Sequence, residues 1–355
     1  MMRYAWNAWY MAAWSAEVGG TMLARRLLDI PIVLFRDEHG EAAALQDRCP
    51  HRFAPLHLGR VTNGTVQCAY HGLHFDRTGA CVLNPSGDGH VPAQARVRAF
   101  PIEERHHIVW IWMGDPALAD PSLIPNFSCI PEQPGENANI GNVLHVQANY
   151  LLEIDNLMDL SHVNYLHFGT LGNESMRACK VKVSEQDGAI RADLWMPSTI
   201  APTYSPIAGQ TCDQWTNMVW MAPTSMRLEY GSVAPGAEPV QRGEDIAVHI
   251  VTPETWRTTH YFYGTCGVFG PDDKAMADLI RGAQTSAFVT EDNPMIEAVD
   301  AAMDGADLWS LRPAILPGDV AAVRVRREIE RMIRRDNMPP APESDAAATP
   351  GLQLA

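Results

Sequence analysis

The chain has 355 residues, enough for two domains that each bury a core. A formal net charge of −15 disfavours a polyanionic partner, and the basic residues of 324–335 are interleaved with acids and apolar residues, as on a solvated helix face. Seven scattered cysteines suit a reducing compartment, no basic n-region leads an apolar core at the start, and the longest charge-free run, 194–212, holds three prolines, so the reading is a soluble, cytoplasmic protein.

Short apolar runs such as Ile30 to Phe35 and Ile108 to Met113, punctuated by Gly, Pro, Asn and Asp, predict a small all-β domain over residues 1–115. Residues 116–140, with Pro116, Pro121, Pro125, Pro131 and Pro134, read as an irregular linker. A second domain follows over 141–338. It opens with a predicted helix from Asn149 to Phe168, free of Pro and Gly, and continues with strand-like runs at 226–230, 246–251 and 259–263. Helices are predicted over 273–302, interrupted near Pro294, and over 319–336, and the Pro- and Ala-rich tail 339–355 reads as disordered.

Four metal-ligand residues stand out in the first domain. Cys49 and His51 form a C-x-H pair, and sixteen residues later Cys68 and His71 form C-x-x-H. Two thiolates and two imidazoles suit a tetrahedral zinc, or a Rieske two-iron two-sulfur cluster with both cysteines on one iron and both histidines on the other. Pro50 and Gly72 put both pairs on turns, and the neighbours Pro50, Arg52 and Tyr70 are unlike those of common zinc fingers. His57, His74 and His90 read as ordinary polar or half-buried residues.

The second constellation lies in the helix predicted over 149–168. Asn156, Asp159 and His162 are spaced three apart and share a helix face. His167, about 140° further round, meets the same ion only if the helix bends or ends near Leu166, and Gly169 suits such an ending. The alternative is a solvated polar face with His167 as a cap. A triad of two histidines and one carboxylate needs a third ligand, for which Asp292 is the candidate and Glu291 its rival. If 288–303 is helical, Asp292 shares a stripe with Phe288, Met295, Ile296 and Val299, where an unpaired carboxylate would cost several kcal/mol. Asp292-Asn293-Pro294 also reads as a helix N-cap.

These two metal motifs, with His249 to Glu254, resemble the Rieske non-haem iron aromatic-ring oxygenases, in the α-only group of vanillate and dicamba O-demethylase oxygenase subunits, over about residues 4–336. The resemblance implies an α+β architecture: an N-terminal all-β Rieske domain, then a helix-grip (START-like) catalytic domain with a mainly antiparallel sheet and C-terminal helices. It implies one 2Fe-2S cluster on Cys49, His51, Cys68 and His71, and one mononuclear Fe(II) on His162, His167 and Asp292. In a head-to-tail homotrimer, Asp159 would join His162 to the partner subunit's His71, while Asn156 would stand close to the iron. His249 would face the substrate, with a structural core histidine as the alternative.

The implied function is a terminal monooxygenase fed from NAD(P)H by a flavin and iron-sulfur reductase, with or without a ferredoxin, and the lack of a dinucleotide or flavin fingerprint agrees with an external electron supply. Hydroxylation of an O-methyl carbon on a methoxylated aromatic acid would release formaldehyde. N-demethylation, methyl-group hydroxylation and ring hydroxylation stay open, as does an electron carrier without catalytic iron. Trp215, Met218, Trp220 and Trp256 are candidates for an aromatic pocket or for plain core.

Overall fold

The computed structural model describes residues 3–131, 138–167, 171–172, 179–201, 205, 207–238, 246–267 and 274–335. The chain divides into two compact units, residues 1–124 together with the chain from 331, and residues 125–330.

The first unit is all-β. Strand Ala8–Trp14 pairs antiparallel with Ile108–Met113, and every residue of both strands is buried, which is why both read as continuous apolar runs. Ile102–Arg105 pairs on the other side of Ile108–Met113 as the third strand of that sheet, and two four-stranded sheets complete the unit. One orders Leu23–Leu27, Ile30–Arg36, Ala42–Gln46 and Ala99–Phe100; the other orders Arg60–Thr62, Thr65–Gln67, His74–Phe75 and Cys81–Leu83. A single core cluster draws on both, with Val33, Phe35, Leu45, Val66 and Phe75 packed around the side chains of Cys49 and Cys68.

The second unit is a seven-stranded antiparallel sheet with helices. Its strand order is Ala138–Val146, Thr258–Cys266, Ile246–Thr255, Ser225–Val233, Thr211–Met221, Ala189–Ile200 and Lys182–Gln186. The helices are α1 (Tyr150–Met158), α2 (Val163–Leu166), α3 (Lys274–Gln284), α4 (Asn293–Met303) and α5 (Val320–Arg335, of which the residues to 330 belong to this unit), with a π-helical stretch, Thr285–Asp292, joining α3 to α4. Strand alternation sends Gln214, Thr216 and Met218 to one face, joined there by Leu228 and Tyr230, Ala247 and His249, and Thr265. The Arg326 guanidinium ties α5 to α1 by donating from Nη2 to Asp155 Oδ2 at 2.5 Å and from Nε to Asp155 Oδ1 at 2.8 Å.

Three predicted boundaries move. The helix expected over 149–168 breaks at Asp159, whose backbone is extended (φ −94, ψ 94). The Asp159 carboxylate accepts from Ser161 N at 2.8 Å, a local bond that competes with the helical ladder and needs no Gly or Pro. Pro294 does not interrupt the last part of 273–302; it sits in the first turn of α4, where its missing N–H is not needed, and the irregularity is the π-helical stretch before it. The linker read over 116–140 holds two short 3-10 turns and gives way to strand at Ala138. Gly169 and the tail 339–355 lie outside the described residues.

Candidate active site

The two ligand loops of the first unit have one geometry. In each, the cysteine carbonyl accepts from the N–H four residues on, Phe53 or Gly72, and the cysteine N–H donates to the carbonyl five residues on, Ala54 or Leu73. Both closing residues have positive φ, +59° at Phe53 and +73° at Gly72. The loops therefore bury Cys49 and Cys68 and leave His51 and His71 at the surface, with their rings 4.3 Å apart.

This donor set fits a two-iron cluster. Burial, then the neighbouring Cys68 thiol, pushes the Cys49 thiol up to about 11, a crowding that a cation between the sulfurs would relieve. Among the described residues, one group alone brings three ligand atoms within 4.8 Å of one another, and it is not drawn from these four. A single tetrahedral zinc, with bonds of about 2.0–2.3 Å, would require that convergence. Of the unit's other histidines, the three weighed as ordinary residues do not join them: His57 pairs with Asp47, His74 meets Thr65, and His90 is exposed.

The converging group is His162, His167 and Asp292. Nε2 of His162 is 3.2 Å from Nε2 of His167, and Asp292 oxygens lie 3.6 and 3.3 Å from the two nitrogens. Atoms bound side by side on one metal at about 2.1 Å stand about 3 Å apart, so the triad is spaced as a ligand set. The break at Asp159 makes this possible by re-aiming His162 and starting α2 afresh. His162 Nδ1 then donates to the Asp159 backbone carbonyl at 2.5 Å, so within the chain it is the carbonyl of Asp159, not its carboxylate, that orients this ring. Asn156 Nδ2 donates to Asp292 Oδ1 at 3.1 Å.

Asp292 is buried and makes no side-chain capping bond, which removes the N-cap reading. Phe288 and Ile296 of the expected apolar stripe are buried as Asp292 is, whereas Met295 and Val299 are half exposed. Glu291, the rival ligand, holds the other side of His167 instead: its Oε2 is 2.6 Å from Nδ1, and Ser286 Oγ donates to Oε1. Burial works to lower the pKa of His167, but Asp292 and Glu291 carry it upward overall. A carboxylate behind a metal-ligating imidazole fixes the tautomer and raises ligand basicity.

A cavity of about 160 Å³ opens on the triad, walled by Leu157, Leu160, Met218, Leu228, Ile280 and Phe288. A cavity of roughly 150 Å³ holds one benzene ring, so the space suits a single aromatic ring. Of the proposed aromatic set, Met218 lines it; Trp215 points to the opposite face and stacks on Trp195, Trp220 is buried with its N–H on Pro223 O, and Trp256 sits in a hairpin turn. His249, fully buried, lines the cavity with its Nδ1 2.6 Å from Tyr261 Oη and its Nε2 without a partner; burial brings its pKa down to about 4. Glu153 escaped sequence reading because it looks like an ordinary helix residue; burial, then the charge of Asp292, pushes it up to about 8. Gly172 was also missed, and a Cβ there would stand 2.5 Å from Val163 O.

A loop pair with two inner thiols and two outer imidazoles, followed by a helix-backed sheet with a His-His-Asp triad, defines a Rieske non-haem iron oxygenase. Comparison with known proteins sharpens this: residues 8–101 match the Rieske [2Fe-2S] domain and residues 146–335 the vanillate O-demethylase oxygenase C-terminal domain. The chain belongs to this family of Rieske oxygenase components. It is 41% identical to the oxygenase component of dicamba O-demethylase from Stenotrophomonas maltophilia, over 93% of this chain and 98% of that one. It is 39% identical to the oxygenase component of a chloroacetanilide N-alkylformylase from Rhizorhabdus wittichii, over 94% and 97%. The crystal structure of dicamba monooxygenase bound to 3,6-dichlorosalicylic acid superposes with a TM-score of 0.88 at 39% identity, covering 94% of this chain and 99% of that one. The protein is thus the oxygenase component of a multi-component monooxygenase system, with one 2Fe-2S cluster and one mononuclear iron. No helix among the described residues is long and apolar enough to cross a membrane.

Proposed function

We propose that the protein O-demethylates a methoxylated aromatic acid, releasing formaldehyde and a phenol, as a cytoplasmic homotrimer. The observation that carries the reading is a ring-sized apolar cavity with His162, His167 and Asp292 at its edge. Cys49, His51, Cys68 and His71 would hold the cluster, and the triad would hold the iron. When bound, the cluster delivers electrons singly and the iron supplies dioxygen activation. The protein's part is placement. Leu157, Leu160, Ile280 and Phe288 exclude water and hold the ring, Glu291 orients His167, and Asn156 steadies Asp292 by a hydrogen bond.

His249 contributes a polar atom to an otherwise mainly apolar wall and is the residue assigned to the substrate's polar group. Hydroxylation at the O-methyl carbon gives a hemiacetal; its collapse breaks the carbon–oxygen bond, and the phenol oxygen keeps the electron pair. The net reaction consumes one dioxygen, two electrons and two protons, and releases water with the phenol and formaldehyde. In the trimer, the Asp159 carboxylate would reach the partner subunit's His71, connecting the two metal stations. The test is reductase-coupled turnover with methoxybenzoates, N-methyl aromatics and methylarenes. Formaldehyde from methoxybenzoates is the expected result. Its appearance solely from N-methyl compounds, or hydroxylation of methylarenes alone, would replace this reading.

A further inference from the structure

Tyr261 lies behind the cavity wall, 1% exposed, on the strand next to His249. Its ring is nearly parallel to the His249 imidazole, with an interplanar angle of 10°, and stands edge-on to Phe288, with centroids 5.8 Å apart. Its hydroxyl is 2.6 Å from His249 Nδ1, the sole hydrogen-bond partner found for it among the described residues. A phenol hydroxyl has one proton to give, and a neutral imidazole has one nitrogen that donates and one that accepts. If Nδ1 carried the proton, it would donate to the phenol oxygen, and the buried phenol proton would have no acceptor. With the phenol donating to Nδ1, every proton at this contact is placed, and the imidazole proton sits on Nε2.

We infer that Tyr261 is a positioning residue that locks His249 as the Nε2–H tautomer, so that the cavity wall offers a neutral N–H donor and selects substrates with an oxygen acceptor there. Burial keeps the imidazole neutral and raises the Tyr261 phenol well above its ordinary value, so that both groups stay in the required forms. Nε2 is buried with no protein partner among the described residues, and a buried donor on a cavity wall is the place a ligand atom would pair with. The same lock disfavours a substrate whose group at that point is a donor, because two N–H or O–H groups would then face each other. Thr265, on the same face of the neighbouring strand, has a second buried and unpartnered hydroxyl in the cavity wall.

The inference rests on the reading of His249 as the substrate-facing residue, and two measurements separate their failures. Neutron diffraction from deuterium-exchanged crystals of the metal-loaded enzyme is expected to find deuterium on His249 Nε2, with the Tyr261 deuteroxyl directed at Nδ1. Deuterium on Nδ1 would overturn the inference, whatever the substrate proves to be. Tyr261→Phe, which keeps the ring, is expected to raise KM about five- to tenfold for an aromatic substrate that carries an oxygen acceptor and supports coupled oxygen uptake, while kcat moves less than about twofold. An unchanged KM, or a loss confined to kcat, would also overturn it. If no methoxyarene yields formaldehyde but the deuterium is on Nε2, the demethylase reading fails and the tautomer lock stands.

Discussion

At the cluster loops the cysteines are in the core while His51 and His71 lie at the surface, beside Phe53 and Tyr70 at 62% and 63% exposure. At the triad the order is reversed: the side chains of His167 and Asp292 keep 3% and 6% exposure, and the open space beside them is an apolar cavity. The difference separates the two tasks. An electron must enter from outside, so one edge of its carrier belongs at the surface. Oxygen chemistry on an aromatic ring needs water kept away, so its site belongs inside. The supports differ accordingly: backbone hydrogen bonds of two matched loops hold the first site, whereas side chains such as Glu291, Ser286 and Asn156 hold the second.

Acid should tell the two regions apart most clearly. His249 is neutral when folded because burial lowers its pKa from 6.5 to about 4. Between those values the unfolded chain binds a proton that the folded chain does not, so stability falls as pH drops from 6.5 and the loss is complete below 4, reaching about 3 kcal/mol by linkage. Glu153 acts in the opposite direction: with a folded pKa of about 8, its contribution is fullest below 4.5 and is lost as pH rises towards 8. In urea titrations at pH 7 and pH 4.5, following tryptophan fluorescence, the Glu153 contribution is common to both chains and offsets the loss in wild type, so the prediction is that wild type loses stability relative to His249→Gln between the two pH values. Equal pH dependence in the two would contradict the burial argument.

A smaller effect should come from behind the triad. Glu291→Gln keeps a hydrogen-bonding atom near His167 but removes the charge, and should weaken iron binding or turnover about 10- to 100-fold, with the visible spectrum of the cluster unchanged. A cluster spectrum that changes together with the iron content would mean that the two sites are not independently supported.

The same contrast governs what could be read from the chain. Cys49, His51, Cys68 and His71 are recognisable because each pair is local, and a loop's backbone bonds are set by residues a few positions apart. The strands at 30–36 and 108–113 are equally direct, since buried pairing writes itself as apolar runs. The triad is harder. His162 and His167 sit in one segment, but the break that brings them together follows from a single bond from Ser161 N to Asp159, which no helix periodicity reveals. The choice of Asp292 over Glu291 depends on a π-helical register that residue types do not announce. Composition leaves Trp215 and Trp220 open between pocket and plain core, and strand alternation and distance along the sheet keep them out of the cavity. Pairings across long separations, such as His249 with Tyr261 and Asp155 with Arg326, exist only once the sheet and helices are assembled.

The central claim is that one chain supports two metal stations built independently of each other. Iron and acid-labile sulfide per chain, measured in wild type and in Asp292→Ala alongside the cluster's electron paramagnetic resonance signal, tests it most directly. The variant should lose about one iron of about three, keep its sulfide and its cluster signal, and lose coupled formaldehyde release. Retention of all the iron with undiminished turnover, or loss of the cluster signal together with the third iron, would contradict it.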